Sequence, residues 1–99
     1  MEQAHAFALL AMTFETLFSK TEEDFSGGSR RLARLAGNTR GEVTLLLRFL
    51  DEPTDENSVR KLRNHIIHGN ERISDHRLEP VRLKFAGLLA QAQLPCGVH

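Results

Sequence analysis

The chain reads as an all-α protein, a compact bundle of four to five helices forming a single domain over residues 1–99. Three observations predict this. Apolar residues recur at three- and four-residue steps in several separate stretches, the spacing a 3.6-residue turn needs to bury one face. No stretch alternates apolar with polar residues over a useful strand length. Ninety-nine residues at 40% hydrophobic content supply one modest core and not two.

The first helix is predicted from Gln3 to Ser19, with Ala4, Phe7, Ala8, Ala11, Phe14 and Phe18 on its inner stripe and Leu10 and Leu17 widening it. Glu15 falls on that same face, between Ala11 and Phe18. A carboxylate is costly to bury without a cation. Glu15 is therefore expected either to bond an arginine, Arg63 or Arg34, or to sit at the rim and reach water.

Lys20 to Ser29 reads as a linker in which Gly27-Gly28 makes a flexible turn and Ser29 caps the next helix. No strand precedes the glycines and no Lys-Ser pair follows them, so they do not form a phosphate cradle. The second helix is expected over about Arg30 to Gly37, with Leu32, Leu35 and Ala36 turned inward. Arg30, Arg31 and Arg34 form the densest basic patch of the chain. A solvated face is the default for such a patch; in a protein that handles RNA it is where phosphate contacts are expected.

Thr39-Arg40-Gly41-Glu42 has the form of a capping box and starts a third helix running to about Leu50. Its apolar positions, Val43, Leu45, Leu46, Leu47, Phe49 and Leu50, cover so wide an arc that burial on two sides is expected, in the core or against a second subunit. The acidic break Asp51-Glu52-Pro53-Thr54-Asp55-Glu56 ends it, leaving Asp55, Asn57 or Ser58 to cap a fourth helix. After that helix, Asn70 to Glu79 is expected to be irregular. Pro80 then suits the first turn of a last helix lined by Val81, Phe85, Leu88, Leu89 and Ala92. Pro95-Cys96-Gly97 closes it, with a flexible tail from about residue 95.

Composition narrows the function classes. Formal net charge is +0 and the pI about 7.0, so any polyanion must be drawn by a local cluster. With Trp 0 and Tyr 0, the usual platforms for stacking bases are missing. Cys96 is the single cysteine, which excludes an internal disulfide and a cysteine-built metal cage and suits a reducing compartment. No basic leader and no apolar run of about 20 residues stands out, so a cytoplasmic chain without a membrane span is expected.

Candidate chemistry gathers on the fourth helix, Lys61-Leu62-Arg63-Asn64-His65-Ile66-Ile67-His68-Gly69-Asn70. On a helix Val59, Leu62, Ile66 and Ile67 share an apolar face and Arg63 lies within it. Arg60, Asn64 and His68 follow the neighbouring ridge, and Gly69 is the expected left-handed stop. The last turn holds the negative end of the helix dipole, which favours an imidazolium. A permanent cation with a proton-exchanging ring is a minimal kit for phosphodiester cleavage. Most arginines and histidines on helices are merely solvated or paired, and five residues of separation set Arg63 and His68 about 140° apart. A bent last turn, long reach or a second subunit is needed to bring them together. His65 and His68, three apart, have a spacing found in metal sites, with His76 or Asp75 as third donor, but two histidines without a clear third ligand predict no metal.

Arg63-Asn64-x-x-x-His68 is similar to the signature of the HEPN superfamily (higher eukaryotes and prokaryotes nucleotide-binding domain). Leu62 to Gly69, with the upstream Phe14-Glu15-Thr16-Leu17-Phe18 and the intervening Arg31-Leu32-Ala33-Arg34-Leu35-Ala36 helix, resembles the Apea-like branch. The likeness extends roughly from Phe7 to Leu94. It implies a small all-α bundle acting as a homodimeric, metal-independent, cofactor-free endoribonuclease, its active site formed where two copies of the motif meet. By that resemblance Arg63 stabilises the crowded phosphorus centre, His68 is general acid or base, and Asn64 orients the histidine or the phosphate. RNA contacts are expected at Arg30, Arg31, Arg34, Arg60 and His65, and structural support from Glu15 and Gly69. An antitoxin or regulatory protein is a further expected partner. Other members of the superfamily are catalytically silent modules that bind RNA, nucleotide or a protein, and that is the alternative reading.

Overall fold

Phe14 is where the bundle meets. Its ring centroid lies 5.2 Å from that of Phe25, 5.5 Å from Phe85 and 5.8 Å from Phe18, and Phe85 reaches Phe7 at 6.0 Å. Each such ring, withdrawn from water, contributes roughly 1.5–3 kcal/mol. The computed structural model describes residues 2–20, 24–69 and 72–93. Five helices build it: α1 (Gln3–Phe18), α2 (Phe25–Ala36), α3 (Arg40–Asp51), α4 (Val59–His68) and α5 (Asp75–Ala92), with no strand among the described residues.

Helix α1 packs against α5, α2 and α4, while α2 and α3 form a close hairpin and α3 also touches α4. The core draws on every helix: Phe7, Ala11 and Phe14 from α1, Phe25 and Leu32 from α2, Leu50 from α3, Val59 and Leu62 from α4, and Leu78, Phe85 and Leu89 from α5. The Cα radius of gyration is 13.1 Å, close to the roughly 13 Å expected of a compact 100-residue domain. Among the described residues no helix is long and apolar enough to cross a membrane.

Local signals explain most boundaries. The Thr39 side chain accepts from the Glu42 N–H at 3.1 Å, and the Glu42 carboxylate accepts from the Thr39 N–H, completing the capping box. Buried Ser58 caps α4 by accepting from the Lys61 N–H, and Gly69 (φ 65) ends that helix in the left-handed conformation.

Several expectations are corrected. Helix α2 begins at Phe25, five residues before the expected start, and Gly27-Gly28 lies inside it, buried. The glycines serve close packing instead of turning: a Cβ on Gly28 would stand 2.6 Å from Ser19 Oγ and 3.2 Å from Phe14 Cζ. Ser29 is buried in the helix and caps nothing; Asp24 holds the cap position. Helix α5 likewise starts early, at Asp75, because Ser74 caps it while Ile73 and Leu78 drop into the core. Pro80 therefore sits past the first turn, where it leaves the His76 carbonyl without its helical donor; both residues are exposed, so water reaches that carbonyl. The segment expected to be irregular is thus partly helical. Leu35, expected inside, is 61% exposed, and Leu45, Leu17 and Ile67 also face outward. Asn70 and the tail from about residue 95, including Cys96, lie outside the described residues.

Candidate functional site

Val59 and Leu62 anchor α4 in the core and Ile66 packs against it, which sets the direction of every other side chain on the helix. Arg63 turns toward α1. Its Nη2 stands 2.7 Å from Glu15 Oε1, with the two side chains only 23% and 19% exposed. The contact is one of charge: Glu15 Oε1 and Arg63 Nε make no well-aligned hydrogen bond. Arg63 Nη1 donates to Asn64 Oδ1 at 3.0 Å, and the guanidinium carbon lies 5.9 Å from the centre of the Phe25 ring. Of the two candidate partners for Glu15, the structure selects Arg63; Arg34 is exposed.

The remaining predicted site residues separate into engaged and open ones. Arg60 donates to Asp51 Oδ1 at 3.0 Å and to Ser26 Oγ at 3.4 Å, stapling the first turn of α4 to α3 and α2. Arg31 donates to the Phe18 carbonyl and to Asp24 Oδ2. Partial burial by itself would raise the Asp24 carboxyl, but the Lys20 N–H and the Arg31 guanidinium outweigh it and hold it below the ordinary 3.8. Arg31 of the basic patch and Arg60 are thus each paired with a carboxylate while their side chains stay 38% and 42% exposed. Arg30 and Arg34 are exposed and make no ion pair among the described residues.

His65 Nε2 approaches Glu56 Oε2 at 3.6 Å, an attraction that exists only with the ring protonated. It also lines a depression of about 180 Å³ with Glu2, Arg72 and Asp75 between the end of α4 and the starts of α1 and α5. His68 is exposed on the last turn. Within one chain the guanidinium faces α1 while His68 lies about 140° round the helix, so the two do not converge. Among the described residues no group of three or more His, Cys, Asp or Glu side chains is placed to hold a metal ion. Searches of known families, curated proteins and solved structures found no match.

Arg40 and Arg48, which no motif singles out, are both exposed on α3 and, like Arg30, lie on the hairpin with α2. Their signal was present as Arg40-x-x-x-Thr44-x-x-x-Arg48, one ridge at helical spacing. What the chain alone did not show was that this ridge lies beside that of Arg30.

Proposed function

We propose that the chain is a HEPN-like, metal-independent endoribonuclease whose active site is completed when two copies meet. The observation that carries this reading is the Arg63 arrangement. A guanidinium has five N–H donors; Nε is buried, and the contacts of Nη2 with Glu15 and of Nη1 with Asn64 leave a further N–H on each terminal nitrogen while holding the group on α4. A preorganised cation of this kind stabilises charge that develops on a phosphorus centre without reorganising during the reaction. His68 stands at the accessible end of the same helix. Ile67 beside it is 57% exposed, an apolar contact for a second chain.

In this mechanism the ribose 2′-oxygen attacks the neighbouring phosphorus. Its proton goes to a base, the bond to the 5′-oxygen breaks, and that oxygen leaves with a proton from an acid. The products are a 2′,3′-cyclic phosphate and a 5′-hydroxyl. His68 of one copy serves as acid or base, Arg63 of the other holds the non-bridging oxygens, and Asn64 keeps Arg63 in place. No metal enters any of these steps.

One observation favours the second reading, a catalytically silent module binding RNA, nucleotide or a partner protein: Glu15 offsets the charge that Arg63 would offer a phosphate. The two are told apart by incubating single-stranded RNA in EDTA with the wild type or His68→Ala. Cleavage to cyclic-phosphate ends by the wild type alone is the expected result. No cleavage by either, with partner binding intact, rejects the nuclease.

A further inference from the structure

On the α2–α3 hairpin, flanked by the capping positions Asp24 and Glu52, five arginines stand against two internal carboxylates in a chain of formal net charge +0. Both carboxylates are occupied: Glu42 accepts from the Asn38 and Thr39 N–H groups, and Asp51 accepts from Arg60. Arg31 is taken by Asp24. Arg30, Arg34, Arg40 and Arg48 are exposed and have no ion-pair partner among the described residues.

The hairpin brings Arg30 and Arg48 to one depression, with Arg34 and Arg40 one and two turns along their helices toward the connecting turn. Its turn is tight, since a Cβ on Gly37 would come within 2.8 Å of Val43, so α2 and α3 run back along one another. On α3, Arg40, Thr44 and Arg48 occupy successive turns of one ridge and span about 12 Å; on α2, Arg30 and Arg34 are one turn apart, about 6 Å. Arg30, Thr44 and Arg48 line one open depression of about 290 Å³ with Leu47, Asp51 and Glu52. The Thr44 hydroxyl donates to the Arg40 carbonyl, so the side-chain donors left facing out on the ridge are guanidinium groups, while Asp51 and Glu52, engaged by Arg60 and Thr54, bring two carboxylates to the same depression.

We propose that Arg30, Arg34, Arg40 and Arg48 form a strip that binds the phosphate backbone of single-stranded RNA. The choice of RNA rests on the nuclease reading above; the affinity for a phosphate chain rests on the strip alone. Exposed guanidinium groups at this spacing, without Trp or Tyr platforms beside them, meet the phosphates first. The strip therefore supplies affinity and salt dependence, and any sequence preference arises elsewhere.

The test measures binding of a labelled, roughly 20-nucleotide single-stranded RNA to the His68→Ala protein by fluorescence anisotropy across a salt series. Adding Arg40→Gln with Arg48→Gln is expected to weaken binding roughly tenfold at low salt and to flatten the slope of log K against log salt by about 1.4, two phosphate contacts' worth. Arg40→Lys with Arg48→Lys retains most of the affinity, and Arg82→Gln on α5 leaves it unchanged. DNA of the same sequence binds within a few-fold of the RNA. Equal affinity in the Gln pair and the parent, or equal weakening by Arg82→Gln, overturns the strip. In otherwise wild-type protein, cleavage that needs His68 with binding indifferent to Arg40 and Arg48 removes the strip and leaves the nuclease; binding that needs the strip without cleavage does the reverse.

Discussion

Glu15 and Arg63 each occupy an apolar helix face, and each is tolerable there because of the other. At about a fifth exposed, the pair is desolvated enough that deleting one charge strands its partner. Glu15→Gln should lower unfolding stability by about 1–3 kcal/mol, measured by urea denaturation, with the loss reduced when Arg63 is replaced as well. The conflict of each charge with its stripe was legible in the sequence. The choice of Arg63 over Arg34 was not, because it depends on α4 crossing α1 and on Arg34 facing outward. Asp24 shows the same limit: in the chain it is the last of a run of acids, whereas in the fold it gathers the Lys20 N–H and Arg31. Because its folded pKa lies below 3.8, its contribution to stability is present above that pH and is lost as pH falls through the lower, folded value. Asp24→Asn should be less stable than the wild type at pH 6, and the gap should close below pH 3.8 in urea titrations.

At the scale of elements, α1, α3 and α4 follow their sequence signals closely, since each begins or ends at an identifiable stripe or cap: the Thr39 box, Ser58 and Gly69. Helices α2 and α5 start earlier than local chemistry suggests, for one common reason. Glycine and proline weaken a helix in isolation by about 1 and 3 kcal/mol, and tertiary burial overrides them here. Phe25 is drawn into the ring cluster around Phe14, and Leu78 into the core. At Gly28 the absence of a side chain is what lets α2 lie against Ser19 and Phe14. Gly28→Ala should therefore destabilise the protein by about 1 kcal/mol in thermal unfolding, despite the better helix propensity of alanine. A gain in stability would mean that Ser19 and Phe14 yield freely.

At the scale of the whole molecule, one chain keeps Arg63 and His68 apart and sets four of its open arginines on the α2–α3 hairpin. An all-α bundle was legible from periodicity. The surface was less so: Leu35, Leu45 and Ile67 continue apolar patterns yet face solvent, because a pattern records which face is apolar and not how far the neighbouring helix covers it. In a two-fold dimer that joins Arg63 of one copy to His68 of the other, each dimer holds two composite sites. Arg63→Lys keeps the charge beside Glu15 but loses the planar fork, so this variant and His68→Ala should each fail to cleave RNA in EDTA. The most direct measurement mixes them in equal amounts, allows subunits to exchange, and assays cleavage. A site shared between two copies recovers about a quarter of wild-type activity, since half the dimers are mixed and each carries one intact site. A mixture no more active than either variant, or a wild type that does not cleave at all, would contradict such a shared site.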